Sequence, residues 1–192
     1  IPVALELGGN APFIVFDDAH IDAAVDCAVM SKYRNAGQTC VCSNRNYVQE
    51  GVYDEFARKL AEVVGSMQVG NGLEDGVVQG PLIDINAVEK VEDHIADAVS
   101  HGAQVTLGGK RHDLGGTFFQ PTILTNVSAE MKVAREETFG HLAPLFRFYE
   151  ESEAVLQANE TEFGLAAYFY SRDLARTWRV SQALEYGMEG IN

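Results

Sequence analysis

Short runs of apolar residues alternate along this chain with longer stretches in which apolar residues recur every three or four positions. The short runs predict buried strands, and the longer stretches predict amphipathic helices. Strands are predicted over residues 12–16, 45–49, 104–107, 118–124, 142–148 and 165–170. Helices are predicted over residues 21–33, 52–64, 86–100, 151–158 and 173–185. Strands separated by helices indicate an α/β fold, with a largely parallel sheet flanked by helices.

The composition fits one globular domain. The chain has 192 residues, of which 46% are hydrophobic and 22% are charged, and these fractions are close to globular averages. The sequence shows no internal repeat, low-complexity segment or domain boundary, so we predict a single domain over residues 1–192. No apolar run in the sequence approaches the ~20 residues that a membrane-spanning helix needs.

The charge balance and the cysteine count narrow the cellular setting. A formal net charge of −14 argues against nucleic acids and anionic membranes as partners, because both would repel the chain. Three cysteines, an odd and low number, indicate a reducing compartment, and we expect a cytoplasmic protein. The first residues carry neither a secretory signal nor an initiator methionine, so we expect the chain to be a segment of a longer protein.

Residues 35–42 (NAGQTCVC) place a thiol directly after a glycine-containing loop. A cysteine attacks as its thiolate, which an exposed loop or a helix N-terminus favours, and Gly37 lets the main chain approach a substrate closely. Amide groups near Cys40 would hold a developing oxyanion. A buried structural cysteine is the alternative, and the polar Gln38 and Thr39 before Cys40 argue against it.

A carboxylate stands between two leucines near the start of the chain, at Glu6, and two glycines follow it. Partial burial would raise the pKa of Glu6 and suit this residue to activate a water molecule as a general base. The alternative is an exposed strand residue that alternates with Leu5 and Leu7. From Glu6 alone, the exposed strand residue is the stronger interpretation.

Three motifs taken together are far more specific than either residue. Residues 6–10 (ELGGN), 37–40 (GQTC) and 136–140 (EETFG), in this order, resemble signature segments of the aldehyde dehydrogenase superfamily. The resemblance extends over essentially the whole chain and implies the catalytic domain of such an enzyme, with NAD or NADP as cofactor. It also implies that the cofactor domain lies outside this chain, that these residues alone oxidise no aldehyde, and that the enzyme is a homodimer or homotetramer.

The resemblance further implies a role for each matching residue. Cys40 attacks the aldehyde carbon to form a thiohemiacetal, and hydride then passes to the nicotinamide, which leaves a thioester. Glu6 activates the water that hydrolyses this thioester. Glu137 binds the nicotinamide ribose, Phe139 packs near the nicotinamide ring, and Leu7 belongs to the cofactor site.

Arg34 indicates the class of aldehyde. Residues 34–42 (RNAGQTCVC) most closely resemble the succinate-semialdehyde dehydrogenase branch of the superfamily. The guanidinium of Arg34 would bind the distal carboxylate of a short aldehyde acid while the aldehyde meets Cys40. The alternative is a helix-end arginine that interacts favourably with the helix dipole, and Arg45 is a weaker candidate for the carboxylate.

Cys42 has two interpretations of comparable weight. Two thiols two residues apart in a mobile loop would form a strained disulfide that blocks Cys40 reversibly. Alternatively, Cys42 is a buried small residue that faces away from Cys40.

The histidines predict no metal site, since their spacing does not match that of metal ligands. One of them departs from the family pattern, because the usual Phe-Gly-Pro is here FGH. Proline fixes φ, so we expect a freer turn at this position. Surface or capping roles are expected for all five: His20, His94, His101, His112 and His141.

Two other functional classes stay open. One is a cofactor-independent cysteine hydrolase that acts on activated esters through Cys40, although no histidine is placed in sequence as its partner. The other is an inactive, isolated domain with an assembly role. A glycine-rich strand–helix unit upstream of Glu6 would favour the dehydrogenase over both.

Overall fold

The structure is a computed structural model that describes residues 2, 3 and 7–192. In chain order the strands are β1 (Ala11–Val15), β2 (Ser43–Gln49), β3 (Gln68–Val69), β4 (Val77–Gln79), β5 (Gln104–Leu107), β6 (Thr122–Val127), β7 (Leu142–Phe148), β8 (Ala166–Tyr170) and β9 (Met188–Ile191). The helices are α1 (Ile21–Tyr33), α2 (Glu50–Gly65), α3 (Ile85–Ser100), α4 (Lys132–Arg135), α5 (Glu151–Asn159) and α6 (Leu174–Ala183).

Seven strands form one sheet in the order β5-β6-β7-β2-β1-β8-β9. All neighbours in this sheet are parallel except β5, which runs antiparallel to β6 at the edge. Strands β3 and β4 pair separately as a two-stranded parallel sheet. The predicted α/β fold with a largely parallel sheet is therefore confirmed.

Both faces of the sheet are buried, as a parallel sheet requires. Along β1 the side chains alternate: Phe13 and Val15 pack against α1 and α2, whereas Ile14 packs into the core on the opposite face. The second core is closed by α3, α5 and α6. The central strands are thus held from both sides, which fixes the loops at their ends.

One strand begins later than the sequence pattern predicts, and several short elements were not predicted. The strand predicted over residues 118–124 begins only at Thr122, because Pro121 lacks the N–H that a ladder needs. Before it, Phe119 makes only an isolated bridge to Arg111. Strands β3, β4 and β9 and helix α4 were not predicted, since two to four residues are too few to show a period.

Candidate active site

Three segments meet at the amino-terminal edge of the central strands. Strands β7, β2 and β1 are parallel neighbours, so the loops that enter them lie at the same edge of the sheet. Residues 8–10 lead into β1, residues 34–42 lead into β2, and residues 136–141 lead into β7. The fold therefore brings together the described parts of the three motifs that the sequence singled out.

The link between α1 and β2 is a tight turn in which Asn35, Ala36 and Gly37 take left-handed φ angles of 52°, 56° and 75°. Glycine is required at the last position, since a Cβ on Gly37 would lie 2.2 Å from the carbonyl oxygen of Gly140. The turn ends α1 sharply. It presents Cys40, a half-buried free thiol, just before β2 begins.

Gly9 lies directly against the candidate nucleophile. A Cβ on Gly9 would lie 2.0 Å from the carbonyl oxygen of Cys40, so only glycine permits this approach. The N–H of Gly9 donates to Glu137 Oε1 at 3.0 Å, which ties the first motif to the third. Leu7, beside them, has a side chain that is 68% exposed. Glu6, the predicted general base, lies outside the described residues.

Glu137 is a half-buried carboxylate beside the thiol turn, the segment 34–42 that carries Cys40. Burial raises its pKa above the ordinary glutamate value, and the Gly9 N–H together with the charges of Lys90 and Lys32 opposes that rise. A Cβ on Gly8 would lie 2.8 Å from Glu137 Oε2, so glycine leaves room beside this oxygen. A carboxylate with an approachable oxygen is an acceptor for hydroxyl donors, and this arrangement fits a nicotinamide ribose.

Phe139 and His141 flank the turn that follows Glu137. Phe139 has a φ of 54° and a side chain that is 38% exposed, so its ring is available to a ligand. His141 is fully buried, its ring centroid lies 6.2 Å from that of Phe119, and its carbonyl accepts from the Thr122 N–H at 2.9 Å. Burial lowers the pKa of His141 to about 4, so the ring is neutral. Packing and this hydrogen bond hold the position, and a turn that is freer than one with proline stays a prediction.

Surface or capping roles were expected for all histidines, and this is wrong for His94 and His141, which are both buried. The His94 ring lies between Thr138 Oγ1 at 3.0 Å and Glu136 Oε2 at 3.3 Å. His20 does cap α1, through its Nδ1. In the part of the chain that the structure describes, no group of three or more His, Cys, Asp or Glu side chains could hold a metal ion. No helix in that part has the length and apolarity to cross a membrane.

A buried lysine, which was not predicted from the sequence, lies beneath the site. Lys32 is 1% exposed, and its Nζ donates to Asn44 Oδ1 at 2.7 Å. Burial is the main cause that lowers its pKa to about 8. Lys32 continues the buried stripe of α1 at four-residue spacing from Ala24 and Ala28. That spacing, a lysine on the apolar face of a helix, is the signal that could have found it.

Arg34 is exposed and lines a cavity of about 800 Å³. Thr39 and Val41, on either side of Cys40, also line it, and so does Tyr168, whose hydroxyl donates to the Val41 carbonyl at 2.7 Å. None of the ion pairs within the described residues involves Arg34. Its guanidinium is therefore available to an anionic group that enters the cavity.

Arg45, the second candidate for the carboxylate, is excluded by its position. It is 1% exposed, and its guanidinium is saturated by protein acceptors rather than open to a ligand. These acceptors, at 2.8–3.3 Å, are the carbonyls of Asn10, Gln157 and Ala158 and the hydroxyls of Tyr47 and Tyr186. Arg45 therefore ties β2 to the segment before β1 and to the end of α5.

Replacing Arg45 with methionine should lower the free energy of unfolding by about 4 kcal/mol, because several buried acceptors lose their donor at once. Urea unfolding followed by circular dichroism measures the change. Arg58→Met, on an exposed i,i+4 pair of α2, is the matched control and should change the value by less than about 0.5 kcal/mol. An equal effect of both substitutions would contradict the structural role of Arg45.

Cys42 is 2% exposed, and its N–H donates to the Thr39 carbonyl at 3.0 Å, so residues 39–42 form a turn. Both thiols are free, and a Cys40–Cys42 disulfide stays a prediction. We expect mild peroxide to reduce alkylation of Cys40 and a reductant to restore it, with the linked peptide visible by mass spectrometry. Cys42→Ala is the control, and peroxide should then oxidise Cys40 without forming the link. Absence of the linked peptide in the unaltered protein would refute the disulfide.

Comparison with known proteins decides the family. The sequence model described as "Aldehyde dehydrogenase family" matches residues 1–192. The chain belongs to the aldehyde dehydrogenase family. Within it, the chain is 66% identical over 190 residues to the succinate-semialdehyde dehydrogenase [NADP(+)] of Escherichia coli. It is 65% identical over 190 residues to the 3-sulfolactaldehyde dehydrogenase of Pseudomonas putida.

Solved aldehyde dehydrogenase structures agree with the fold. The succinate-semialdehyde dehydrogenase from Burkholderia pseudomallei has a TM-score of 0.96 and 66% sequence identity, and the match covers 97% of this chain and 39% of that one. The matches to the two curated family members cover 99% of this chain, and the chain spans 39% of the length of each of them. The chain thus corresponds to one part of a typical family member.

Proposed function

We propose that the protein acts in an NAD(P)-dependent aldehyde dehydrogenase that oxidises a short aldehyde bearing a carboxylate, with succinate semialdehyde as the first candidate. The observation that carries the proposal is the contact of Gly9 with the main chain of Cys40, together with the Gly9–Glu137 hydrogen bond. It unites a thiol, a close-approach glycine and a carboxylate at one edge of the sheet. A cysteine hydrolase has no use for the Glu137 arrangement and is not favoured.

The proposed chemistry begins at Cys40. Its thiolate forms a C–S bond to the aldehyde carbon, and the carbonyl oxygen gains a negative charge that the Cys40 N–H would help to hold. Bound NAD or NADP supplies the hydride acceptor. Loss of hydride from the carbon leaves a thioester on Cys40. Glu6 takes a proton from water, which attacks the thioester and releases the acid and the free thiol.

The roles toward the cofactor rest on residues with room for a ligand. Glu137 would accept hydrogen bonds from the ribose, Phe139 would pack near the nicotinamide, and Leu7 would line the same site. One relative carries NADP(+) in its name, and this chain is proposed to use NAD or NADP. We also propose that the protein is cytoplasmic and that the full-length protein is a homodimer or homotetramer. Light scattering on the purified full-length protein would measure the oligomeric state.

A chimaera tests the proposal in the context of a complete enzyme. In it, this chain replaces the matching 190 residues of the Escherichia coli relative, to which it is 66% identical. Absorbance of the reduced nicotinamide should rise when succinate semialdehyde is added to the chimaera. The 192-residue chain alone should give no such signal. A folded chimaera that oxidises no aldehyde would contradict the proposed dehydrogenase function. Aldehyde oxidation by the 192-residue chain alone would contradict the proposal that this chain is inactive by itself.

Arg34 tests the substrate class. Arg34→Met in the chimaera should raise KM for succinate semialdehyde about 100-fold, because a charge-assisted pair with the distal carboxylate is lost. The kinetic constants for butanal, which has no carboxylate, should change less than about threefold. Arg58→Met is the matched surface control. Equal losses for both aldehydes would show that Arg34 supports the turn rather than the carboxylate.

A further inference from the structure

The ammonium group of Lys32 lies in the interior, directly beneath the thiol turn. Lys32 ends the buried stripe of α1 and is 1% exposed. An ammonium without solvent is strongly disfavoured unless nearby groups compensate for its charge. Within the described residues, the hydrogen bond recorded for Nζ goes to Asn44 Oδ1, at 2.7 Å. The surroundings of Lys32 must therefore supply further negative potential.

Polar or titratable groups from three neighbouring segments interact with Lys32. Asn44 comes from β2, Cys42 from the turn before it, Glu137 from the loop before β7, and His141 from the end of that loop. Burial lowers the pKa of Lys32 to about 8, and Cys42 and Glu137 oppose that fall. In turn the positive charge of Lys32 opposes the rise that burial causes in the pKa of Glu137, and it adds to the fall that burial causes in the pKa of His141.

Hydrogen bonds extend from Lys32 to the contact between Gly9 and Cys40. Asn44, whose Oδ1 accepts from Lys32, donates through Nδ2 to the Gly9 carbonyl at 3.4 Å. The Gly9 N–H donates to Glu137 Oε1 at 3.0 Å. Both peptide groups of Gly9 are therefore held, and its Cα faces the Cys40 carbonyl. Movement of the Lys32 ammonium would release Asn44 first and then this contact.

We propose that Lys32 is a positioning residue, whose buried ammonium keeps Asn44, Gly9 and Glu137 in place and thereby holds the main chain at Cys40. This inference rests on the proposed function for the roles of Cys40 and Glu137. The arrangement of the groups around Lys32 is independent of that function. Lys32 touches no reacting atom, so its effect must appear through the thiol and the carboxylate.

Alkylation of Cys40 by iodoacetamide tests this positioning without any enzyme assay. In Lys32→Met, the rate at pH 7 should fall about tenfold, because Asn44 and Gly9, which hold the main chain at Cys40, lose their anchor. The difference should shrink above pH 8, where Lys32 of the unaltered protein itself loses its proton. Lys110→Met, at an exposed lysine, is the control and should leave the rate unchanged. A folded Lys32→Met protein with the rate and pH course of the unaltered protein would overturn the proposal.

Asn44→Asp keeps the test decisive if Lys32→Met fails to fold. The new carboxylate would hold the proton on Lys32 more tightly, so the alkylation profile should shift to higher pH. It also removes the donor to Gly9, and KM for the cofactor in the chimaera should rise several-fold with a smaller change in kcat. An unshifted pH profile would overturn the role of Lys32. Absence of aldehyde oxidation in the unaltered chimaera would instead overturn the proposed function.

Discussion

Replacing Cys40 with alanine should reduce aldehyde oxidation by the chimaera at least about 10⁴-fold, because the covalent route through the thioester is lost altogether. The substitution removes one sulfur atom from a half-buried position, so the fold should survive. Initial rates with succinate semialdehyde and saturating cofactor measure the effect. The melting temperature, recorded alongside, should change by only a few degrees.

Two other cysteines provide matched controls for this result. Cys27 is half-buried on α1, and Cys42 is buried two residues beyond Cys40. Alanine at Cys27 should leave kcat within about twofold, and alanine at Cys42 should lower it far less than alanine at Cys40. If alanine at Cys42 lowered kcat as much as alanine at Cys40, then either Cys42 would be the nucleophile or the substitution would have disrupted the turn.

Gly9→Ala should lower kcat/KM at least about 100-fold, since a displacement near 1 Å at the reacting group is sufficient for such a loss. The new Cβ would lie 2.0 Å from the Cys40 carbonyl oxygen, far inside ordinary contact distance. The two main-chain segments must separate, and the Gly9 hydrogen bond to Glu137 would lengthen or break. We also expect the free energy of unfolding to fall by about 2 kcal/mol.

Gly72→Ala is the control for the added methyl group. Gly72 is exposed, and a Cβ there would meet no atom within 4 Å. This substitution should leave both activity and stability unchanged within error. If Gly9→Ala were equally silent, the contact between Gly9 and Cys40 would not contribute to the site.

Local periodicity was enough to predict the architecture. The alternation of short apolar runs and helical stripes is a property of each segment, so strands such as β2 and β7 and helices such as α3 could be predicted without tertiary contacts. The strand before Thr122 was predicted too early in the chain because the residues there are apolar. Pro121 has no N–H to donate to a neighbouring strand, and apolar composition does not show this. The order of strands in the sheet, which brings the motifs together, has no signal in local periodicity.

Buried cations could not be predicted in the same way. Arginine and lysine are ordinarily surface residues, and a sequence shows this preference but not the exceptions to it. Arg45 is buried because acceptors more than 100 residues away, at Gln157, Ala158 and Tyr186, close around it. Lys32 showed itself only as a charged residue in an apolar helical stripe. By contrast, Cys40 and Glu137 stand in contiguous motifs, so the sequence alone was sufficient to propose both as site residues.

The candidate site lies at one edge of the sheet, and the opposite edge offers positions for attachment chemistry. There the chain leaves β1, β2 and β7, and Gln49 links the Asp17 N–H at 2.9 Å to the Tyr149 carbonyl at 3.1 Å. Tyr149 is 60% exposed. A strand of five residues spans roughly 17 Å, so an anchor at Tyr149 would lie about that far from the thiol. Immobilisation through this edge would place every molecule on an electrode or bead with Cys40 at the far end of the strands.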